Sequence, residues 1–377
     1  QIGFIVILPM DFYFHKEIYQ KFSNSEFILY HQGEYSISKD VSDLLNSRRV
    51  YWRFFNEVNC DQKYRQRFFK KYKAIIAHRK IQILNDPILA NKIKIRILYG
   101  PGKDLWDFGI WNRCFNLILT YGSYSDKYLK LWTKTKIIGN PKFDPWFQNN
   151  INPEAINQIK TKLNPNKLTI LYLPTYGELS SIKFIFNEIK LLANKYNIII
   201  KVHDMTKYYE PSQMNLLSSN NYFLIYDGKE DILPLLKVAD IIISDNSGAI
   251  FEAILTNKPC VLINHLSNIY FNKLLESAPF RSLKRRGRMT SKQSIDQQIK
   301  IKNPPGPVIK IPERLQSAID NALKNPKYFQ KARSWWRKKI FSFNDGKSAN
   351  RAAKAIKQCI NLKNKQTKTL LAEIIDV

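Results

Sequence analysis

The chain has 377 residues, room for roughly two domains of about 150 residues each. Apolar residues make up 44%, too many for a disordered chain, and 60 Lys plus Arg against 31 Asp plus Glu leave a net charge of +29. Such a surplus calls for an anionic partner: phosphate, nucleic acid or the anionic face of a membrane. Cys60, Cys114, Cys260 and Cys359 stand far apart. Neither a disulfide framework nor a zinc cluster is expected from them, and a reducing compartment fits better. No apolar run approaches the roughly 20 residues that cross a bilayer, so any membrane contact is expected to be peripheral.

The apolar run 2–10 is soon followed by Asp11 and His15, and it reads as a buried first strand rather than a leader peptide. Strands are predicted at 3–8, 26–30, 73–77, 95–99 and 116–120. After a break they resume at 168–173, 197–202, 222–226, 240–244 and 259–263. Many are near-continuous Ile, Leu, Val and Tyr, as parallel strands covered on both faces are. Helical stretches fall between them at 11–22, 61–72, 182–195 and 247–257. This alternation predicts doubly wound α/β units.

The break at 149–167 holds Asn149, Asn150, Asn152, Pro153, Asn164 and Pro165, and reads as the join between two domains. A loop at 281–307, basic and then proline-rich, reads as an exposed excursion. Ala352, Ala353, Ala355, Ile356 and Ile360 keep helical spacing in the tail. The expected plan is an N-terminal domain at 1–148, a C-terminal domain at 149–345 and a helical tail at 346–377 packing back across a ligand cleft.

Residues 239–264 carry the most information. A strand at 241–243 runs into Ser244-Asp245-Asn246-Ser247-Gly248, and a helix follows. A small polar loop at a strand's carboxyl end and a helix's amino end favours an anion, typically phosphate. Ser247 adds a hydroxyl donor, and Gly248 allows close approach to the backbone. The plain alternative is a capped helix with Ser247 or Asp245 as cap.

This stretch resembles the CDP-glycerol glycerophosphotransferase family of teichoic acid synthesis. The resemblance rests on Asp240, Ser244-Asp245-Asn246-Ser247, Glu252 and Lys258-Pro259. Leu171-Tyr172-Leu173-Pro174-Thr175-Tyr176 and Lys201-Val202-His203 are similar to two family strand ends. Asp345-Gly346-Lys347-Ser348-Ala349-Asn350-Arg351 is similar to its C-terminal element. In the first half Tyr99-Gly100-Pro101-Gly102-Lys103 falls where the family has a histidine-bearing loop, with Tyr99 at the histidine's place. Residues 122–128 and 139–144 resemble two further elements.

The resemblance implies a GT-B fold: two Rossmann-like domains with parallel sheets facing a central cleft, donor in the second and acceptor in the first. It implies transfer of an alditol phosphate from a CDP-activated donor, CDP-glycerol or CDP-ribitol, to a hydroxyl of a cell-surface polymer or lipid-linked acceptor, with release of CMP. A loose transition state makes such catalysis mostly positioning and charge stabilisation. His203 is the expected donor-side catalytic residue, suited to the leaving phosphate and to proton transfer. Thr175, Tyr176, Lys201, Asp245, Asn246, Ser247, Gly248, Glu252, Lys347 and Ser348 are expected around the donor. Gly100, Gly102 and Lys103 are expected at the acceptor. Tyr99 and Asp104 are candidates for the base, with His78 and Asp11 as alternatives. A phenol of pKa about 10 needs nearby cations to serve.

No metal constellation and no cofactor are expected. Basic clusters lie at 65–73, 281–288 and 331–339, the last with Trp335 and Trp336 among the cations. They suit an anionic membrane surface or a polyanionic acceptor, or else a solvated helix with both tryptophans partly in the core. The expected location is cytoplasmic, on the inner face of the cell membrane. No nucleic-acid motif is present. Two further readings are a nucleotide-sugar glycosyltransferase on the same scaffold and a non-catalytic polyanion- or nucleotide-binding protein.

Overall fold

The structure, a computed structural model, describes residues 1–219, 221–266 and 294–375. The basic stretch 281–288 lies outside the described residues. The chain forms two compact units. One comprises Gln1–Tyr99, Trp111–Gln148 and Phe341–Val377; the other comprises Gly100–Ile110 and Asn149–Ile340.

The first unit is built on a seven-stranded sheet. Its strands are β1 (Ile2–Val6), β2 (Ser25–His31), β3 (Trp52–Asn56), β4 (Ala74–Ala77), β5 (Ile93–Ile97), β6 (Leu117–Thr120) and β7 (Lys134–Ile137). Their order is β3-β2-β1-β4-β5-β6-β7, and every pair is parallel. Every residue of β1, β2, β4 and β6 is buried, as strands covered on both faces require.

The second unit has six strands: β8 (Thr169–Leu173), β9 (Asn197–Lys201), β10 (Phe223–Tyr226), β11 (Ile241–Ser244), β12 (Cys260–Ile263) and β13 (Val308–Ile309). Their order is β10-β9-β8-β11-β12-β13, again all parallel. The core packs Ile170, Tyr172, Ile198, Ile200, Ile241 and Ile243 of the sheet against Ile182, Ile185 and Ile189 of helix Ile182–Leu192. Gly306 passes so close to β12 that a Cβ there would lie 1.8 Å from the Cys260 carbonyl oxygen, which explains a glycine among prolines at that point.

All ten predicted strands form. β3, β7 and β13 were not predicted, and each is a sheet edge. Two assignments by chain position also change. Residues Gly100–Ile110 leave the end of β5 and pack with the second unit, although sequence order put them in the first domain. Helix Ser348–Ile375, expected as a tail packing back across the cleft, belongs to the first unit, burying Ala352, Ala353 and Ile356 there. Arg351 of this helix donates to the Ile138 carbonyl at 3.1 Å.

Candidate functional site

In each sheet one pair of neighbouring strands is not consecutive in the chain. In the second unit that pair is β8 and β11, so crossovers leave to either side and open a crevice at the strands' carboxyl ends. The loops after these strands are 174–181 and 245–248.

Asp245 ties the two loops together. Its carboxylate accepts the Thr175 amide at 2.9 Å, the Ser181 amide at 2.9 Å and the Ser181 hydroxyl at 2.9 Å. Asp245 is 1% exposed and Thr175 is buried beside it. An acid among the expected donor contacts therefore holds the loops in place and does not face solvent. Ser244 Oγ adds a bond to the Leu173 carbonyl at 2.9 Å.

Asn246 is the next anchor. Its amide donates to the Leu179 carbonyl at 3.0 Å, its own carbonyl accepts Lys103 Nζ at 3.0 Å, and its Oδ1 accepts Lys300 Nζ. Two lysines from distant segments thus meet at one asparagine. Lys300 is buried on helix Ile295–Ile301, and burial pushes its ammonium down to about 8 against the pull of Asp245. Nothing in the sequence around Lys300 signals this position.

Ser247 is half-buried, with Oγ accepting the Ala249 amide at 3.3 Å. The space over Gly248 is already used, since a Cβ there would lie 2.8 Å from the Pro101 carbonyl oxygen. The close approach that Gly248 was expected to offer a phosphate is taken by the chain itself. Glu252 is buried on helix Ala249–Leu255.

The segment Gly100–Ile110 is held by two exchanged carboxylates. Asp296 accepts the Lys103 amide at 2.6 Å, and Asp104 accepts the Ile295 amide at 2.8 Å. Gly102 has φ +96, and a Cβ there would lie 2.6 Å from Asp296 Oδ1, so only glycine fits this turn. Asp104, a candidate base, is buried and bonded in this exchange. Lys103 directs its Nζ to Asn246. Gly100 has nothing near its Cα face.

His203 caps helix Asp204–Tyr209, its Nδ1 accepting the Met205 amide at 3.2 Å. Its ring lies 4.6 Å from that of Tyr176, which is 40% exposed, so the ends of β8 and β9 present a Tyr–His pair. Lys201 donates to the Asp227 carbonyl.

Lys347 and Ser348 belong to the first unit, whereas the residues above belong to the second. The amides of Ser348 and Ala349 donate to the Asp144 carboxylate at 3.0 and 2.7 Å. A carboxylate of the chain thus occupies the position expected for a second phosphate. Tyr99, also in the first unit, stacks on His78 at 5.7 Å. In helix Gln330–Ile340, Trp336 is buried with Nε1 on the Asn303 carbonyl at 2.8 Å, while Trp335 is 45% exposed. Among the described residues no His, Cys, Asp or Glu side chains gather as a metal-binding group, and no helix is long and apolar enough to cross a membrane.

Residues 123–273 match the family model of CDP-Glycerol:Poly(glycerophosphate) glycerophosphotransferase. The fold is shared with the wall teichoic acid polymerase TagF at TM-score 0.66 and 16% identity, covering 96% of this chain and 89% of that one. A TagF variant soaked with CDPG gives 0.65 and 17%, with coverages of 96% and 89%. UDP-GlcNAc 2-epimerase from Neisseria meningitidis, bound to UDP-GlcNAc, gives 0.62 and 12%, covering 95% and 99%. No curated protein sequence matches the chain. Two doubly wound parallel units of this kind define the GT-B class. Over residues 123–273 the chain resembles the CDP-glycerol glycerophosphotransferase family, as the motifs in that stretch implied.

Proposed function

We propose that this protein transfers glycerol phosphate, or a related alditol phosphate, from a CDP-activated donor to a hydroxyl of a cell-surface polymer or lipid-linked acceptor. The observation that carries this reading is the coincidence of the family match with the β8/β11 switch point. Thr175, His203, Asp245 and Ser247 all fall inside residues 123–273.

In the proposed step the acceptor oxygen attacks the donor's β-phosphorus. The bond from that phosphorus to the bridging oxygen breaks, CMP leaves with the electron pair, and the hydroxyl proton passes to a base. Charge grows on the departing phosphate, so donors fixed beforehand contribute most. His203 and Tyr176 at the strand ends, the Ser247 hydroxyl, and the Lys103 and Lys300 ammonium groups around Asn246 supply such donors. Asp245 keeps the two loops in register. The excess of cations suits a polyanionic acceptor and an anionic membrane surface on the cytoplasmic side.

The test is CMP release from CDP-glycerol with a glycerol phosphate primer. His203→Ala is expected to lower turnover by roughly 10²–10⁴ with the fold intact. Release that ignores this substitution, or turnover of UDP-sugars in place of CDP-alcohols, would overturn the reading.

A further inference from the structure

The first sheet has a switch point of its own, between β1 and β4. A charged cluster not used above sits where these strands end. Asp11 lies in the first turn of helix Pro9–Tyr19, fully buried, and its Oδ2 accepts the Ile7 and Leu8 amides at 2.8 and 2.9 Å. His78 and Arg79 follow β4 directly. Arg79 Nη2 donates to Asp11 Oδ1 at 2.9 Å, and Arg79 Nε lies 2.8 Å from His78 Nε2. Burial would raise the Asp11 carboxyl, but Arg79 and His78 hold it well below the usual carboxylate range. Burial lowers the His78 pKa despite Asp11, and its Nε2 also lies 3.1 Å from Asp11 Oδ1, so the histidine and the carboxylate sit together against one edge of the guanidinium.

We propose that Arg79 is the anchor of a phosphate-binding subsite in the first unit, and that it takes a phosphoester oxyanion of the acceptor. The acceptor assignment rests on the function proposed above; the anion site does not. Nε and Nη2 share one edge of the guanidinium plane, and Asp11 and His78 hold that edge. The end carrying Nη1 makes no bond among the described residues, and the side chain is 30% exposed. A planar group fixed along one edge presents its other end to two oxygens of an incoming phosphate. The surroundings are cationic. Lys142 Nζ lies 4.6 Å from the Phe14 ring, which packs 5.2 Å from Tyr99, and the Arg79 guanidinium lies 5.8 Å from Tyr99. Arg96, fully buried, donates to the His78 carbonyl at 3.1 Å. Arg79 pairs with Asp11, while Lys142 and Arg96 add positive charge beside Phe14 and His78. Asp11 and His78 are positioning residues here; Arg79 is the one that touches the anion.

The probe is sn-glycerol 3-phosphate, titrated into the full chain by calorimetry, with inorganic phosphate and glycerol as separate arms. Arg79→Gln is expected to weaken glycerol 3-phosphate roughly tenfold or more, and Arg79→Lys by less, since it keeps charge but not the two-oxygen geometry. Glycerol alone should not bind; inorganic phosphate should bind and show the same Arg79 dependence. Thermal melts of both variants establish that the fold persists. Probe binding unchanged in a folded Arg79→Gln, or lost instead on Ser247→Ala, overturns the inference. Arg79-dependent binding without any CMP release from CDP-glycerol upholds this site while removing the proposed transfer. CMP release with no Arg79-dependent probe binding does the reverse.

Discussion

Asp245 Oδ1 accepts the Thr175 amide at 2.9 Å, joining the end of β11 to the end of β8 at the switch point of the second sheet. The same carboxylate takes both the amide and the hydroxyl of Ser181 on its second oxygen. Three donors on one buried acid make it a structural lock on the two loops.

Asp245→Asn replaces one acceptor oxygen with an N–H donor that faces another donor. Leaving a buried amide unpaired costs about 1–3 kcal/mol. The urea midpoint should fall accordingly, and CMP release should fall with it. An unchanged midpoint contradicts the lock.

Ser247→Ala removes a half-buried hydroxyl whose only described partner is the Ala249 amide. Stability should move by about 1 kcal/mol or less, whereas the donor KM should rise roughly tenfold, as for loss of one bond to a charged group. Equal KM values in initial-rate measurements count against a donor contact.

Lys300 supplies a signed pH effect. Its ammonium has an ordinary pKa of 10.5 and is pushed down to about 8 by burial. Between those values the unfolded chain holds more protons than the folded one, so this group makes stability rise with pH from about 8 to 10.5. Lys300→Met should flatten that portion of the rise in denaturant midpoints, relative to the parent chain. An identical slope contradicts the assignment.

His15 gives the acid counterpart. Burial pushes its imidazole from 6.5 down to about 3, with Nε2 at 3.1 Å from the Ile5 carbonyl. The unfolded chain binds its proton first, so stability falls as pH drops from 6.5 toward 3. His15→Gln should lose less stability over that interval, read from melting temperatures at matched pH.

The three strands that sequence reading missed are all sheet edges, while the edge strand β10 was found because FLIY keeps an apolar run. β1, β4, β8, β9, β11 and β12 are short apolar runs because helices cover both faces. β3 reads WRFFN and β7 reads KTKI. Edge strands are half-wetted and carry charge, so they lose the apolar signal. β13 has only two residues.

The site divides in the same way. The places of Asp245, Ser247, Thr175 and His203 at strand ends were legible, because local order fixes position there, whereas the structural role of Asp245 was not. Lys300 and Asp296 were not, since their meeting with Asn246 and Lys103 spans 54 and 193 residues of chain. The buried exchange of Asp104 and Asp296 between two helix starts also has no local signature.

From the order of residues alone came the doubly wound units, the small polar loop after β11 and the family likeness, because backbone periodicity and strand-end motifs are local properties. Which carboxylates became structural, which glycine faces the Pro101 carbonyl, which cations gather at Asn246 and which carboxylate Arg79 meets were settled only by folding. Those outcomes depend on burial and on partners far apart in the chain, and solvation energy is decided by three-dimensional neighbours.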